Sequence, residues 1–121
     1  NDREALKTIL RCIQIIKDDA ASVAVFPEGY ASVDHKFHVF RPGVFKIAQK
    51  AQVPIVVCTV TNTHKVLGNL KRLKSTPIDL HLLEVIQPEE FLGITTVELA
   101  DRIHAMMLAD LGPEYTPEEN T

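Results

Sequence analysis

Two stretches of this chain repeat apolar residues at helical spacing, and two more are nearly unbroken apolar runs. Leu6, Ile9, Leu10, Ile13 and Ile16 recur every three or four residues and predict an amphipathic helix over residues 2–18, with Asn1 or Asp2 as cap. Val97, Ala100, Ile103, Met107, Leu108 and Leu111 form a second stripe. Thr95 and Glu98 stand at capping-box spacing before it, and Gly112-Pro113 ends it. The runs 22–26 and 53–60 are too short for helices and predict strands buried on both faces. Between them, Pro42 suits a first helical turn, and Val44, Phe45 and Ala48 give a short helix to about residue 51 its inner face. Strand, helix, strand over residues 22–60 predicts a βαβ unit with parallel strands and a right-handed crossover. Ile78, Leu80 and Leu82 alternate with Asp79 and His81, which predicts a half-buried strand to about Ile86 with His81 on its exposed side. The expected fold class is therefore α/β, a mostly parallel sheet with flanking helices, over residues 1–113, ahead of a frayed acidic tail at 114–121.

Composition narrows the partners more than the fold. A 45% hydrophobic chain of 121 residues can build one core, as a small domain or part of a larger one. A net charge of −3 argues against nucleic acid. No apolar run is long enough to span a membrane, and no signal-peptide pattern is visible. Cys12 and Cys58 lie in apolar patterns without metal-ligand spacing and read as small buried hydrophobes. Met106 and Met107 read as core filler. The chain starts at Asn1, without Met, and enters a helix at once, the pattern of a processed chain or a fragment.

The candidate chemistry gathers at Val23–Ser32. Pro27 cannot donate to a sheet ladder and stops the strand, and Gly29 allows a sharp turn. Glu28 is thus expected at the carboxyl end of a buried strand, where α/β folds bind ligands. It is either a working carboxylate or a turn anchor. The loop 30–41 is rich in aromatic and imidazole groups. His35 and His38 have a spacing that could bind metal, but no Cys or third His stands nearby, and two histidines packing a loop is the preferred reading. Arg3, Lys7, Arg11 and Lys17 on the first helix, and Lys71, Arg72 and Lys74 further on, could meet phosphate or lipid headgroups or simply be solvated. The chain has no Gly-x-x-x-x-Gly-Lys phosphate loop and no Gly-x-Ser-x-Gly elbow.

At Phe26-Pro27-Glu28-Gly29 the chain resembles the glycerolipid acyltransferases, typified by 1-acylglycerol-3-phosphate acyltransferase. That family has a Phe-Pro-Glu-Gly-Thr-Arg-Ser block, which Phe26, Pro27, Glu28, Gly29 and Ser32 match. Its Phe-Lys-x-Gly and Ala-x-x-Ala-x-Val-Pro-Ile-Val-Pro pattern is followed by Phe40-Arg41-Pro42-Gly43 and by Ala48 to Val57. The resemblance is firm over residues 1–60 and looser beyond. It implies transfer of a fatty acyl group from acyl-CoA or acyl carrier protein to a lysophospholipid or glycerol-phosphate acceptor, with no further cofactor and no metal. It also implies a peripheral enzyme on the cytoplasmic face of a membrane. The acceptor would be held by Phe26, Pro27, Glu28, Gly29, Tyr30 and Ser32. The competing class is a non-enzymatic α/β binding or regulatory module in which Glu28 only anchors a turn.

Three departures shape that expectation. The family's base, a His-x-x-x-x-Asp histidine oriented by its Asp, has no counterpart, because Phe40, Gly43, Asn69, Ile86 and Ala109 stand five beyond the five histidines. This places the chain in the C-terminal part of the catalytic domain and predicts that alone it is inactive. Tyr30-Ala31 replaces Thr-Arg, so the family's phosphate-pairing arginine is missing. Arg41, with Lys36, is the candidate replacement, and a solvated Arg41 beside a helix start is the alternative. Val57 stands where the family often has a second proline, a change expected to affect packing alone.

Overall fold

A computed structural model describes residues 1–118. Helix α1 (Asp2–Lys17) is followed by an irregular segment, a 3-10 turn (Pro42–Phe45) and helix α2 (Lys46–Ala51). Strand β1 (Ile55–Thr61), a 3-10 turn (Thr63–Lys65), helix α3 (Val66–Lys71) and strand β2 (Asp79–Ile86) come next. A single turn, α4 (Pro88–Phe91), the long helix α5 (Thr96–Leu111) and a 3-10 turn (Pro113–Tyr115) complete the chain.

Local signals placed most of these elements. Asn1 caps α1 through its side chain, 3.1 Å from the Arg3 amide. At α5 the capping box forms as its spacing predicts. The Glu98 amide donates to Thr95 Oγ1 at 3.1 Å, and the Thr95 amide donates to Glu98 Oε2 at 2.8 Å. Gly112, at φ +105, ends that helix.

The sheet is the main correction. β1 and β2 pair antiparallel, and they are the only strands among the described residues. Residues 22–26 form no strand, so the parallel βαβ unit and its crossover do not exist here. A strand persists through its ladder, and no neighbouring segment supplies one to this run. Val25 and Phe26 are instead exposed, at 43% and 80%.

The core lies on one side of the hairpin. Phe45, Ala48, Val57, Ile86, Phe91, Leu99, Ala100 and Ile103 pack together where α5 covers β1, with Met106 and Met107 at the margin. A bulge after Val57 leaves Leu83 unpaired and packed against that core. Thr59 is fully buried beneath α5. The other face of the hairpin carries Val56, Val60, Leu80, Leu82 and Val85, all exposed. Alternation along β2 marked Leu80 and Leu82 for burial, but α5 lies on the opposite face, where it meets His81. Helix α1 packs on α2, with Ile9, Ile13 and Ile16 half-buried and Leu6 and Leu10 exposed. Cys12 and Cys58 are free and half-buried. The expected frayed tail is pinned at its start, where the Phe37 amide donates to the Tyr115 carbonyl at 2.7 Å. Residues 119–121 of that tail lie outside the described residues.

Candidate functional site

Residues 26–41 form a loop closed on itself at three points. The Gly29 amide donates to the Phe26 carbonyl at 3.0 Å, which makes the turn that Pro27 and Gly29 favour. Gly29 sits at φ +80, a left-handed conformation that glycine adopts without strain. Across the loop, the Arg41 amide donates to the Pro27 carbonyl at 2.9 Å. Between these, the His38 amide donates to Glu28 Oε2 at 2.9 Å. Glu28 is half-buried and, through this bond, anchors the loop.

The closure brings Arg41 onto the turn. A β-carbon on Gly29 would stand 2.9 Å from Arg41 Cδ and 3.0 Å from Nε. Arg41 itself is exposed, so its guanidinium lies beside the turn and open to solvent. Lys36 does not join it, because its Nζ donates to the Glu114 carbonyl at 2.6 Å. Ser32 is half-buried and belongs to none of these hydrogen bonds among the described residues. Tyr30 is 54% exposed, its ring 6.1 Å from that of His38. Phe26 projects into solvent beside the turn.

Sequence spacing did not reveal the histidine partners. His38 Nε2 donates to both carboxylate oxygens of Asp34 at 2.9 Å. The Lys36 amide, 3.0 Å from Asp34 Oδ1, is the largest influence holding the Asp34 carboxyl below the usual range, and the His38 ring adds to it. The pair reads Asp-x-x-x-His, the reverse order of His-x-x-x-x-Asp, and the curl of the loop brings it together. His104 of α5 then donates from Nε2 to the His38 carbonyl at 2.9 Å. Its ring stacks on Phe37 at 4.6 Å and meets Phe40 edge-on at 4.9 Å. These contacts fix the loop to the core helix. His35 instead stacks on His64, with centroids 4.3 Å apart. Among the described residues no cluster of three or more His, Cys, Asp or Glu could hold a metal ion. A shallow cleft of about 140 Å³ opens between the loop and α5, lined by Val39, Phe40, Pro42, Val97, Ala100 and His104 among others. None of residues 26–32 lines it.

The decisive comparison is with a family model described as Acyltransferase, which matches residues 1–61 and so covers the turn and both its closing partners. The chain belongs to this acyltransferase family. It is 31% identical to a 1-acyl-sn-glycerol-3-phosphate acyltransferase of Salmonella typhimurium over 124 aligned residues, covering 100% of this chain and 50% of the relative. A relative of the same description from Escherichia coli is 30% identical, with 98% of this chain and 49% of the relative covered. A chloroplastic one from Brassica napus is 38% identical over 65 residues, which are 54% of this chain and 19% of the relative. The chain thus spans half or less of the length of these relatives. No solved structure matches it significantly.

Proposed function

We propose that this chain is the acceptor-holding portion of an acyltransferase of phospholipid synthesis. It carries a fatty acyl group from acyl-CoA or acyl carrier protein to the hydroxyl of a lysophospholipid or glycerol-phosphate acceptor. One observation carries the reading: the closed loop sets Glu28, Gly29 and Arg41 side by side. In this arrangement Arg41 takes the acceptor phosphate, because a guanidinium offers paired donors that match phosphate oxygens. The missing side chain at Gly29 leaves room for Arg41 to lie on the turn, and Glu28 holds the turn while offering its remaining oxygen to an acceptor hydroxyl. Phe26, Tyr30 and Ser32 border the same turn. Acyl-CoA or acyl carrier protein is a co-substrate, and no other cofactor is required.

In this reading the enzyme works as a peripheral protein on the cytoplasmic face of a membrane. No helix among the described residues is long and apolar enough to span a bilayer. The base of the reaction is a histidine outside these residues, so the chain alone turns nothing over. The Asp34–His38 pair supports a second reading, in which His38 is itself the base.

Two measurements test this. Binding of 1-acylglycerol 3-phosphate to the full-length protein should weaken roughly tenfold in Arg41→Ala, the loss of one charged hydrogen-bonded contact. Unchanged affinity would remove Arg41 from the site. Acyl transfer by the 121-residue chain should be undetectable. Turnover that disappears in His38→Ala would assign the base to this loop instead.

A further inference from the structure

Helix α3 and the turn after it carry their leucines outward. Leu67, Leu70 and Leu73 are 72%, 64% and 94% exposed. An added β-carbon on Gly68, between the first two, would meet no atom within 4 Å. Lys65, Lys71, Arg72 and Lys74 interleave with these leucines and are exposed as well. The chain carries 16 Asp and Glu, yet none lies between residues 35 and 78. An acidic protein therefore concentrates positive charge and solvent-facing leucine in one short knob.

The backbone holds that knob in shape. The Leu73 amide donates to the Leu70 carbonyl at 3.0 Å, and the Lys74 amide donates to the Asn69 carbonyl at 2.8 Å. This pair of bonds is a Schellman motif, with Leu73 in its left-handed position at φ +54. Glycine suits that position, and a leucine there is strained while its side chain stays almost wholly in solvent. Asn69 Nδ2 also donates to Thr76 Oγ1 at 3.0 Å and fastens the returning chain. Packing within the chain gives no reason for this leucine, whereas an apolar phase outside it would.

We propose that residues 65–74 are a docking surface for an anionic lipid bilayer. The leucines enter the boundary between headgroups and acyl chains, and the four cations meet lipid phosphates. Charge complementarity selects this occupant, because an exposed cationic stretch with no Asp or Glu of its own fits a negatively charged surface. The surface is also joined to the acceptor loop. His64, in the turn that leads into α3, stacks on His35 of that loop. A docked knob therefore sets the Glu28 turn near the lipid that supplies its acceptor, which deepens the functional reading above and rests on it for that consequence alone.

The test is co-sedimentation of the full chain with vesicles of phosphatidylcholine alone or mixed with phosphatidylglycerol. The chain should sediment with the mixed vesicles only, and added salt should release it. Lys71→Gln, Arg72→Gln and Lys74→Gln should each weaken binding roughly fivefold. Leu73→Gly should weaken it too, without lowering the denaturation midpoint, because glycine relieves the left-handed strain. Equal binding to both vesicles, or Leu73→Gly and Leu67→Ser/Leu70→Ser variants that bind as the parent does, would overturn the proposal. So would a leucine-dependent dimer that ignores vesicles, since it would assign the surface to a second copy of the chain. Acyl transfer is not read in this assay, so failure here leaves the acceptor reading to the Arg41 measurement.

Discussion

Arg41 lies across Gly29, its Cδ 2.9 Å from where a β-carbon would stand on that glycine. The two residues are twelve apart in sequence, and the Pro27–Arg41 backbone bond brings them into register. Gly29→Ala therefore does two things. It forces an L-residue to φ +80, at a cost of roughly 1–2 kcal/mol, and it pushes the arginine off the turn. A lowered denaturation midpoint and weaker acceptor binding are expected together. Loss of stability with acceptor affinity intact would show that Arg41 does not need this placement.

Glu28 can be split into its two roles. Glu28→Gln keeps an oxygen that accepts from the His38 amide, so hydrogen exchange at that amide should stay slow. Glu28→Ala removes the acceptor, and the same amide should exchange faster. If the carboxylate also holds the acceptor hydroxyl, Glu28→Gln weakens acceptor binding while the loop stays closed. A Gln variant that behaves as the parent in both assays reduces Glu28 to an anchor.

Asp110 is expected to make stability depend on pH. The buried Thr59 hydroxyl donates to its Oδ2, and His81 Nδ1 lies 3.1 Å from the same oxygen. Thr59 first, and His81 second, hold the Asp110 carboxyl below the usual carboxylate range. A carboxyl with a depressed pKa stabilises the folded state above its unfolded value, and that contribution is lost as pH falls through the folded value. Stability should thus decline on acidification below the usual carboxylate range. Thr59→Val should be less stable at neutral pH and should show a shallower acid decline. Identical pH curves for the two proteins would exclude this link.

The cap of α5 is the simplest stability test. Thr95→Ala removes the acceptor of the Glu98 amide and should cost about 1 kcal/mol in chemical denaturation. Thr95→Ser should retain most of that. A loss of several kcal/mol in Thr95→Ala would mean that the residue does more than cap.

Elements specified by neighbouring residues were legible in the sequence. The caps at Asn1 and Thr95, the stop at Gly112 and the turn at Pro27–Gly29 all depend on chemistry within a few positions. What was not legible depends on who lies next to whom. Residues 22–26 have strand composition, but a strand also requires a neighbour, and none pairs with them here. Alternation showed that β2 has two faces, and only the placement of α5 decided that the leucine face stays open. The Asp34–His38 pair is invisible to the His-x-x-x-x-Asp pattern because it has the opposite order and a different spacing. Phe26–Gly29 and Arg41 each stand out in the sequence as candidates, whereas the backbone bond that joins them is not foreseeable from either.

The uncovered face of β1 and β2 makes colloidal behaviour a property of this chain as much as folding is. Val56, Val60, Leu80, Leu82 and Val85 form an apolar sheet surface, and among the described residues each strand also keeps one unpaired edge. Self-association through such a surface is expected as concentration rises, and it requires no disruption of the core on the far side. Loss of folded molecules from solution is then expected below the temperature at which a single molecule unfolds. For this chain a melting curve and a solubility curve measure different faces of the same two strands.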